Sequence, residues 1–201
     1  MQTRTILPLD EINRLEWILR DKQTTNSKTG KREYKDRDEL FDLIAFLLET
    51  AYINGTADAA AQINGLLGYR LLDDTYDVDR IGDVIDLRLG DGKDWRDRLT
   101  EHLDNGDDIQ PIIAMVESEA NRDANTGSLD KAWDSGLELT KTWQTMLDDR
   151  VRETHDYLEG VTVGIHDKFY TFDGDSAFVP GGFETAENNV NCRCSLAYGL
   201  I

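Results

Sequence analysis

The stretch from residue 141 to residue 194, KTWQTMLDDRVRETHDYLEGVTVGIHDKFYTFDGDSAFVPGGFETAENNVNCRC, constrains this chain more than any other. It opens on an amphipathic helical pattern that carries Trp143, Asp149, Arg152 and His155 and stops at Gly160. The apolar stripe runs Leu129, Trp133, Leu137, Thr140, Leu147, Val151, His155 and Leu158, mostly in steps of three or four. That period predicts one long helix, with Gly136 as a bend or interruption. Val161, Val163 and Ile165 then alternate with Thr162 and Gly164, which is a strand signal. His166-Asp167 supplies a turn, residues 168–172 a returning strand, and Asp173-Gly174-Asp175 a second turn. Pro180-Gly181-Gly182 opens an excursion before residues 193–198 return to the sheet. The reading is α+β: a helix packed on a small antiparallel sheet, preceded by a mainly helical N-terminal part.

Upstream, Pro8-Leu9-Asp10 opens a helix with Asp10 as N-cap, and Ile12, Leu15, Ile18 and Leu19 form its apolar face. Residues 22–37 are polar and aperiodic, with six basic residues against Glu33 and Asp36, and read as a solvated loop or a dock for an acidic partner or phosphate backbone. A helix from Asp38 and another from Thr56 or Asp58, separated by Gly55, read as a helical hairpin. Residues 72–108 carry thirteen acidic against five basic residues. Two short helices fit there, one ending at Gly90 and one at Asn105-Gly106, and no calcium-loop spacing is present. Asp108 caps a further helix, with Pro111 in its first turn and a break at Thr126-Gly127-Ser128.

With 39% hydrophobic and 31% charged residues over 201 positions, the chain can bury a real core. The net charge of −18 disfavours general nucleic-acid binding, because phosphates are repelled. The longest apolar run falls short of the ~20 residues a membrane span needs, and the N-terminus lacks a signal-peptide core, so no membrane partner is expected. The two cysteines stand two apart, where a mutual disulfide is strained, which fits a reducing compartment.

His155, Cys192 and Cys194 are the sharpest constellation, since imidazole and thiolate are the ligands structural zinc prefers, with Asp149 as the fourth. The competing reading is a packed cluster of buried side chains without metal. In either case strand alternation points both thiols the same way, and the returning sheet brings them toward His155 as a clasp. A catalytic reading would make a cysteine the nucleophile and His155 the base, oriented by Asp149 or Glu184. No oxyanion turn, nucleotide-binding loop or metalloprotease motif accompanies it, so no catalytic or cofactor-binding residues are assigned. Asp148 and Arg152 would pair at i,i+4, and Lys141 would lie solvated beside a packed Trp143.

One series in this sequence resembles a known family: Ser118-Glu119, Ala124-Asn125, Gly136, Lys141-x-Trp143, Asp149-x-x-Arg152-x-x-His155-x-x-Leu158-x-Gly160, Phe169, Pro180-Gly181 and Asn191-Cys192-Arg193-Cys194. In order and spacing it is similar to the Mu F-like domain of minor head (head morphogenesis) proteins of tailed bacteriophages, over about residues 109–201. The resemblance implies a Mu F-like minor head domain over residues 106–201; residues 1–105 carry no motif of the family and read from their own periodicity as a helical N-terminal region. It implies a non-enzymatic minor capsid protein inside the virion, assembled in the host cytoplasm, with the portal and other head proteins as partners. Many family members carry Cys-x-x-Cys where this chain has Arg152-x-x-His155, and with the terminal Cys-Arg-Cys that set looks like a zinc site. Here Arg152 removes one ligand. Mu F-like domains also occur joined to toxins, so a capsid-carried enzyme or effector using the His/Cys corner is the alternative.

Overall fold

Gly55 does not end a helix. In the computed structural model, which describes residue 7 and residues 9–201, one helix runs unbroken from Arg37 to Leu67. The expected hairpin is therefore a single rod, and its partner explains why. The elements in order are α1 (Leu9–Lys22), β1 (Gln23–Thr25), β2 (Arg32–Tyr34), α2 (Arg37–Leu67), α3 (Val78–Ile85), α4 (Trp95–Asn105) and α5 (Ile109–Asp134). There follow β3 (Leu139–Gln144), α6 (Glu153–Asp156), β4 (Thr162–Gly164), β5 (Phe169–Tyr170), β6 (Ser176–Ala177), α7 (Ala186–Asn189) and β7 (Ser195–Leu200). Ala51, Gly55, Ala59 and Ile63 on α2 are spaced by four, as are Ala120, Ala124, Ser128 and Ala132 on α5, and all are buried. A Cβ on Gly55 would lie 1.9 Å from the Ala124 carbonyl oxygen, and one on Gly127 would lie 2.3 Å from that of Tyr52. The two long helices touch backbone to backbone, so both glycines serve the crossing and neither the expected stop at Gly55 nor the expected break at Gly127 occurs.

Around that crossing lie two apolar clusters. The first joins α1, the N-terminal half of α2, α3, α4 and the start of α5. The second joins Ala59, Ile63, Leu129 and Ala132 to the C-terminal strands and loops. On α1, Leu15, Ile18 and Leu19 are buried as expected, while Asp10 sits inside the first turn rather than capping it. Pro8 and the N-terminal stretch 1–6 lie outside the described residues. Asp77, Asp94 and Asp108 cap α3, α4 and α5 with their side chains. α3 stops at Ile85, a turn before the expected Gly90.

The absence of a segment of membrane-spanning length is corrected by α2, which among the described residues is long and apolar enough by length and composition alone. Its buried face is the core face, packed on α5.

The basic stretch 22–37 is a hairpin, not an aperiodic loop: β1 pairs antiparallel with β2. Its cations meet the acidic segment of the same chain. Arg37 pairs with Asp104 at 2.6 Å and Arg32 with Asp108 at 3.4 Å, and the Tyr34 hydroxyl donates to the Asp107 carbonyl at 2.7 Å. Lys22 pairs with Glu39 at 2.7 Å. Much of the positive charge that could have sought an outside partner is matched within the fold.

The largest departure lies after Asp134. The expected long helix ends there, with Gly136 in the left-handed region at φ 66°, which a glycine adopts without strain. Residues 139–144 form a strand whose odd positions Leu139, Lys141 and Trp143 are all buried. The sheet order is β4-β3-β7, both pairings antiparallel, so the predicted strand after Gly160 and the predicted return of residues 193–198 are present. The 168–172 stretch contains β5, but it pairs with β6 across the Asp173-Gly174-Asp175 turn rather than with β4. The architecture is α+β.

Candidate metal centre

His155 stands on α6, a single turn seated against the sheet. Its ring meets Trp143 edge-on at 5.3 Å and stacks on Phe183 at 5.4 Å, so packing fixes where the imidazole points. Its Nδ1 faces both thiols, 3.7 Å from Cys192 Sγ and 3.4 Å from Cys194 Sγ. All three residues are buried, and their ligand atoms lie within 4.8 Å of one another. The expected clasp between helix turn and C-terminus is formed.

The Cys-x-Cys backbone is held by residues of the motif series. Ser118 Oγ accepts from the Asn191 amide at 2.8 Å, supporting a residue at φ 57°. Asn125 Nδ2 donates to the Cys194 carbonyl at 3.0 Å and to the Asn121 carbonyl at 2.8 Å. Arg193 forks onto Asp148 at 2.8 and 2.7 Å, which holds that carboxyl well below the usual range. This replaces the expected Asp148–Arg152 pair, since no helix spans those residues; Arg152 instead donates to the Val190 carbonyl. Trp143 is packed as expected, whereas Ser118 and Asn125 stand in the motif series without a task legible in the sequence, and Phe183 and the Asp175 brace left no signal there. Asp175 accepts from Thr185 Oγ1 at 2.7 Å and from Asn188 Nδ2 at 3.2 Å, tying the excursion down.

Hydrogen bonding from Cys194 and then from His155 holds the Cys192 thiol well below its ordinary range. The hydrogen bond to Cys192 and burial push Cys194 up.

Tetrahedral zinc, with Zn–S of about 2.3 Å and Zn–N of about 2.0–2.1 Å, places nitrogen and sulfur ligands about 3.6 Å apart. The two Nδ1–sulfur distances bracket that edge, so the three residues fit one face of the tetrahedron. Asp149 does not join them; it is exposed on the preceding turn, and Glu184 is exposed on the excursion. Among the described residues no fourth His, Cys, Asp or Glu belongs to the group. When bound, zinc would be held by His155, Cys192 and Cys194 and would act here as a cross-link.

The matching family model now has its geometry. The model for phage Mu protein F like protein covers residues 93–197. The chain belongs to the phage Mu protein F-like family. Two curated relatives align with parts of this Mu F-like chain. An NAD(+)–arginine ADP-ribosyltransferase, EFV, of Enterococcus faecalis is 33% identical over 84 residues, 41% of this chain and 17% of that protein. The minor head protein GP7 of Bacillus phage SPP1 is 32% identical over 62 residues, 31% of this chain and 20% of that protein. The alignments thus cover a fifth or less of these relatives' length. No solved structure matches.

Lys141, expected in solvent, is fully buried on β3. Its Nζ donates to the Phe178 carbonyl at 3.0 Å and lies over the Phe169 and Phe178 rings at 5.4 and 5.1 Å. Burial pulls its pKa down to about 8, against a smaller opposing pull from Asp167. Between about 8 and the unfolded value near 10.5 the unfolded chain binds the proton and the folded chain does not, so stability from this group rises with pH across that window. Denaturant unfolding followed from pH 7.5 to 9.5 should show a steeper rise for the wild type than for Lys141→Met, the difference approaching ~1 kcal/mol per pH unit at most. Parallel profiles would remove the buried ammonium from the account.

Proposed function

We propose that this chain is a minor capsid, head morphogenesis protein of a tailed phage or prophage, non-enzymatic, acting inside the head beside the portal. The observation that carries this reading is the family match over residues 93–197, taken with what the motif residues do. Ser118, Asn125, Lys141, Trp143 and His155 brace a sheet and a C-terminal clasp, and all of them but Ser118 are buried. The relative GP7, named a minor head protein, supports the head assignment. The His155–Cys192–Cys194 centre is structural in this reading, a zinc-held or tightly packed lock. Host cytoplasm during assembly and the capsid interior afterwards are its locations, with the portal and other head proteins as partners.

A second reading is favoured by the relative named an ADP-ribosyltransferase: an enzyme or effector carried in the capsid. Such a role would need the cysteines to meet a substrate. Both are buried, and the cavity beside them measures about 10 Å³, room for roughly one water. The non-enzymatic reading therefore ranks first. Mass spectrometry of purified particles should find this chain at low copy, and pull-down from infected or induced cells should recover the portal protein. Absence from both procapsids and mature heads would end the head reading.

A further inference from the structure

A groove of about 520 Å³ lies between α4, the start of α5 and the excursion at residues 181–191, and ends at the Ser118–Asn191 bond next to the His/Cys centre. Its apolar floor is Leu89, Pro111, Ala114, Met115 and Val190, and Val190 is 55% exposed despite its aliphatic side chain. Five carboxylates line it, Asp91, Glu101, Asp107, Glu119 and Glu184, against two arginines, Arg98 and Arg122, and His102.

The arginines do not neutralise an incoming anion or repel an incoming cation strongly, because both are already engaged. Arg98 forks onto Asp91 at 3.1 Å and reaches Glu119 at 3.3 Å. Arg122 is held by Asp123 at 2.9 Å and Glu119 at 2.6 Å. With His102 neutral the lining carries three net negative charges, five acids less two arginines. The outer acids are the accessible ones: Glu184 is exposed, the Glu101 side chain is 53% exposed while paired with Lys93 at 2.5 Å, and Asp107 meets His102 Nδ1 at 2.7 Å.

The groove is built before anything enters it. A Cβ on Gly90 would lie 2.4 Å from the Glu184 carbonyl oxygen, and one on Gly181 would lie 3.0 Å from Arg122 Cβ, so both walls are seated by close backbone approach. The bond from the Asn191 amide to Ser118 fixes the end that presents Val190. A preformed concavity of this size lowers the ordering cost that binding must meet.

An apolar floor under an acidic rim selects one chemistry. We infer that the groove docks a cationic amphipathic helix of a partner protein, with apolar side chains at i and i+3 or i+4 on Leu89, Met115 and Val190 and Lys or Arg against Glu101, Asp107 and Glu184. The inference stands on the groove alone and does not depend on the head-protein reading.

The test uses the full chain and a synthetic helix of roughly 14 residues, Leu on one face and Lys on the other, beside a scrambled peptide of equal composition. Fluorescence anisotropy should give binding for the amphipathic peptide and at least about tenfold weaker binding for the scrambled one. The double reversal Glu101→Lys/Glu184→Lys should weaken binding by about tenfold or more, while Asp74→Lys, outside the groove, should leave it within about twofold. Amide shifts of the wild type should move around Ala114, Met115 and Val190. Equal affinity for the double reversal, for the scrambled peptide, or shifts that map elsewhere would overturn the inference. So would sedimentation showing a dimer that the same reversal dissolves, since the occupant would then be a second copy.

Discussion

Gly55→Ala should destabilise the fold by about 3 kcal/mol or more, and Gly55→Val should prevent folding. In an isolated helix the same change to alanine would help by about 1 kcal/mol, because glycine is the poorer helix former. Here the new methyl would meet the Ala124 carbonyl oxygen at 1.9 Å and its carbon at 2.7 Å, both backbone atoms of the facing helix. No rotamer relieves that contact, so α2 and α5 must separate along their whole crossing. Ala51, Tyr52, Ala59, Ala120 and Ser128, buried by the crossing, would then lose their partners. Gly65 in the same helix is the control: it is exposed, and nothing lies within 4 Å of the position its Cβ would take. Gly65→Ala should stabilise by about 0.5–1 kcal/mol. Equilibrium denaturation of the three variants separates the signs. A Gly55→Ala protein as stable as the wild type would show that the helices do not meet there.

Gly55 also shows where the sequence stops being legible. A glycine that ends a helix and a glycine that admits another backbone are the same letter. The difference lies in φ and in a partner about 70 positions along the chain. Gly136 was the reverse case, a true stop that a helical period seemed to run through. The period misled because Leu129, Trp133 and Leu137 fit a helix while Leu139, Lys141 and Trp143 fit a strand, and the two patterns overlap without a polar gap. Lys141 hid the alternation further, since a lysine at a buried strand position reads as a surface residue. The basic stretch at 22–37 failed for another reason. Charge tells that a segment will seek acids but not whose, and the acids were Asp104 and Asp108 of this chain. Signals that act locally survived: the Asp108 cap, the stop at Gly106, the strand after Gly160 and the Asp173-Gly174-Asp175 turn. The meeting of His155 with both cysteines is present too, but not by strand alternation: Cys192 and Cys194 precede β7 in irregular backbone, held there by Ser118, Asn125 and Asp148.

That meeting carries the second large effect. Protein refolded with zinc should hold about one ion per chain by elemental analysis, and a chelator should then lower its Tm. The stabilisation follows mass action: free zinc at a thousandfold above its Kd adds about 4 kcal/mol to the folded state. His155→Ala removes a ligand, but it also strips packing from Trp143 and Phe183, so its loss of stability has two sources. Cys192→Ser is the cleaner change, since it keeps the size of the side chain and removes the soft ligand. With metal in the wild type, Cys192→Ser should lose the ion and most of the chelator-sensitive stability together. Without metal, the same substitution should cost only ~1–3 kcal/mol, as in any buried polar cluster, and a chelator should change nothing in either protein. Asp149→Ala should match the wild type in zinc content and in Tm, because Asp149 is exposed and outside the ligand group. A wild type that takes up no zinc at any concentration, with a Tm indifferent to chelator, would leave the clasp as packing alone and remove the metal from it.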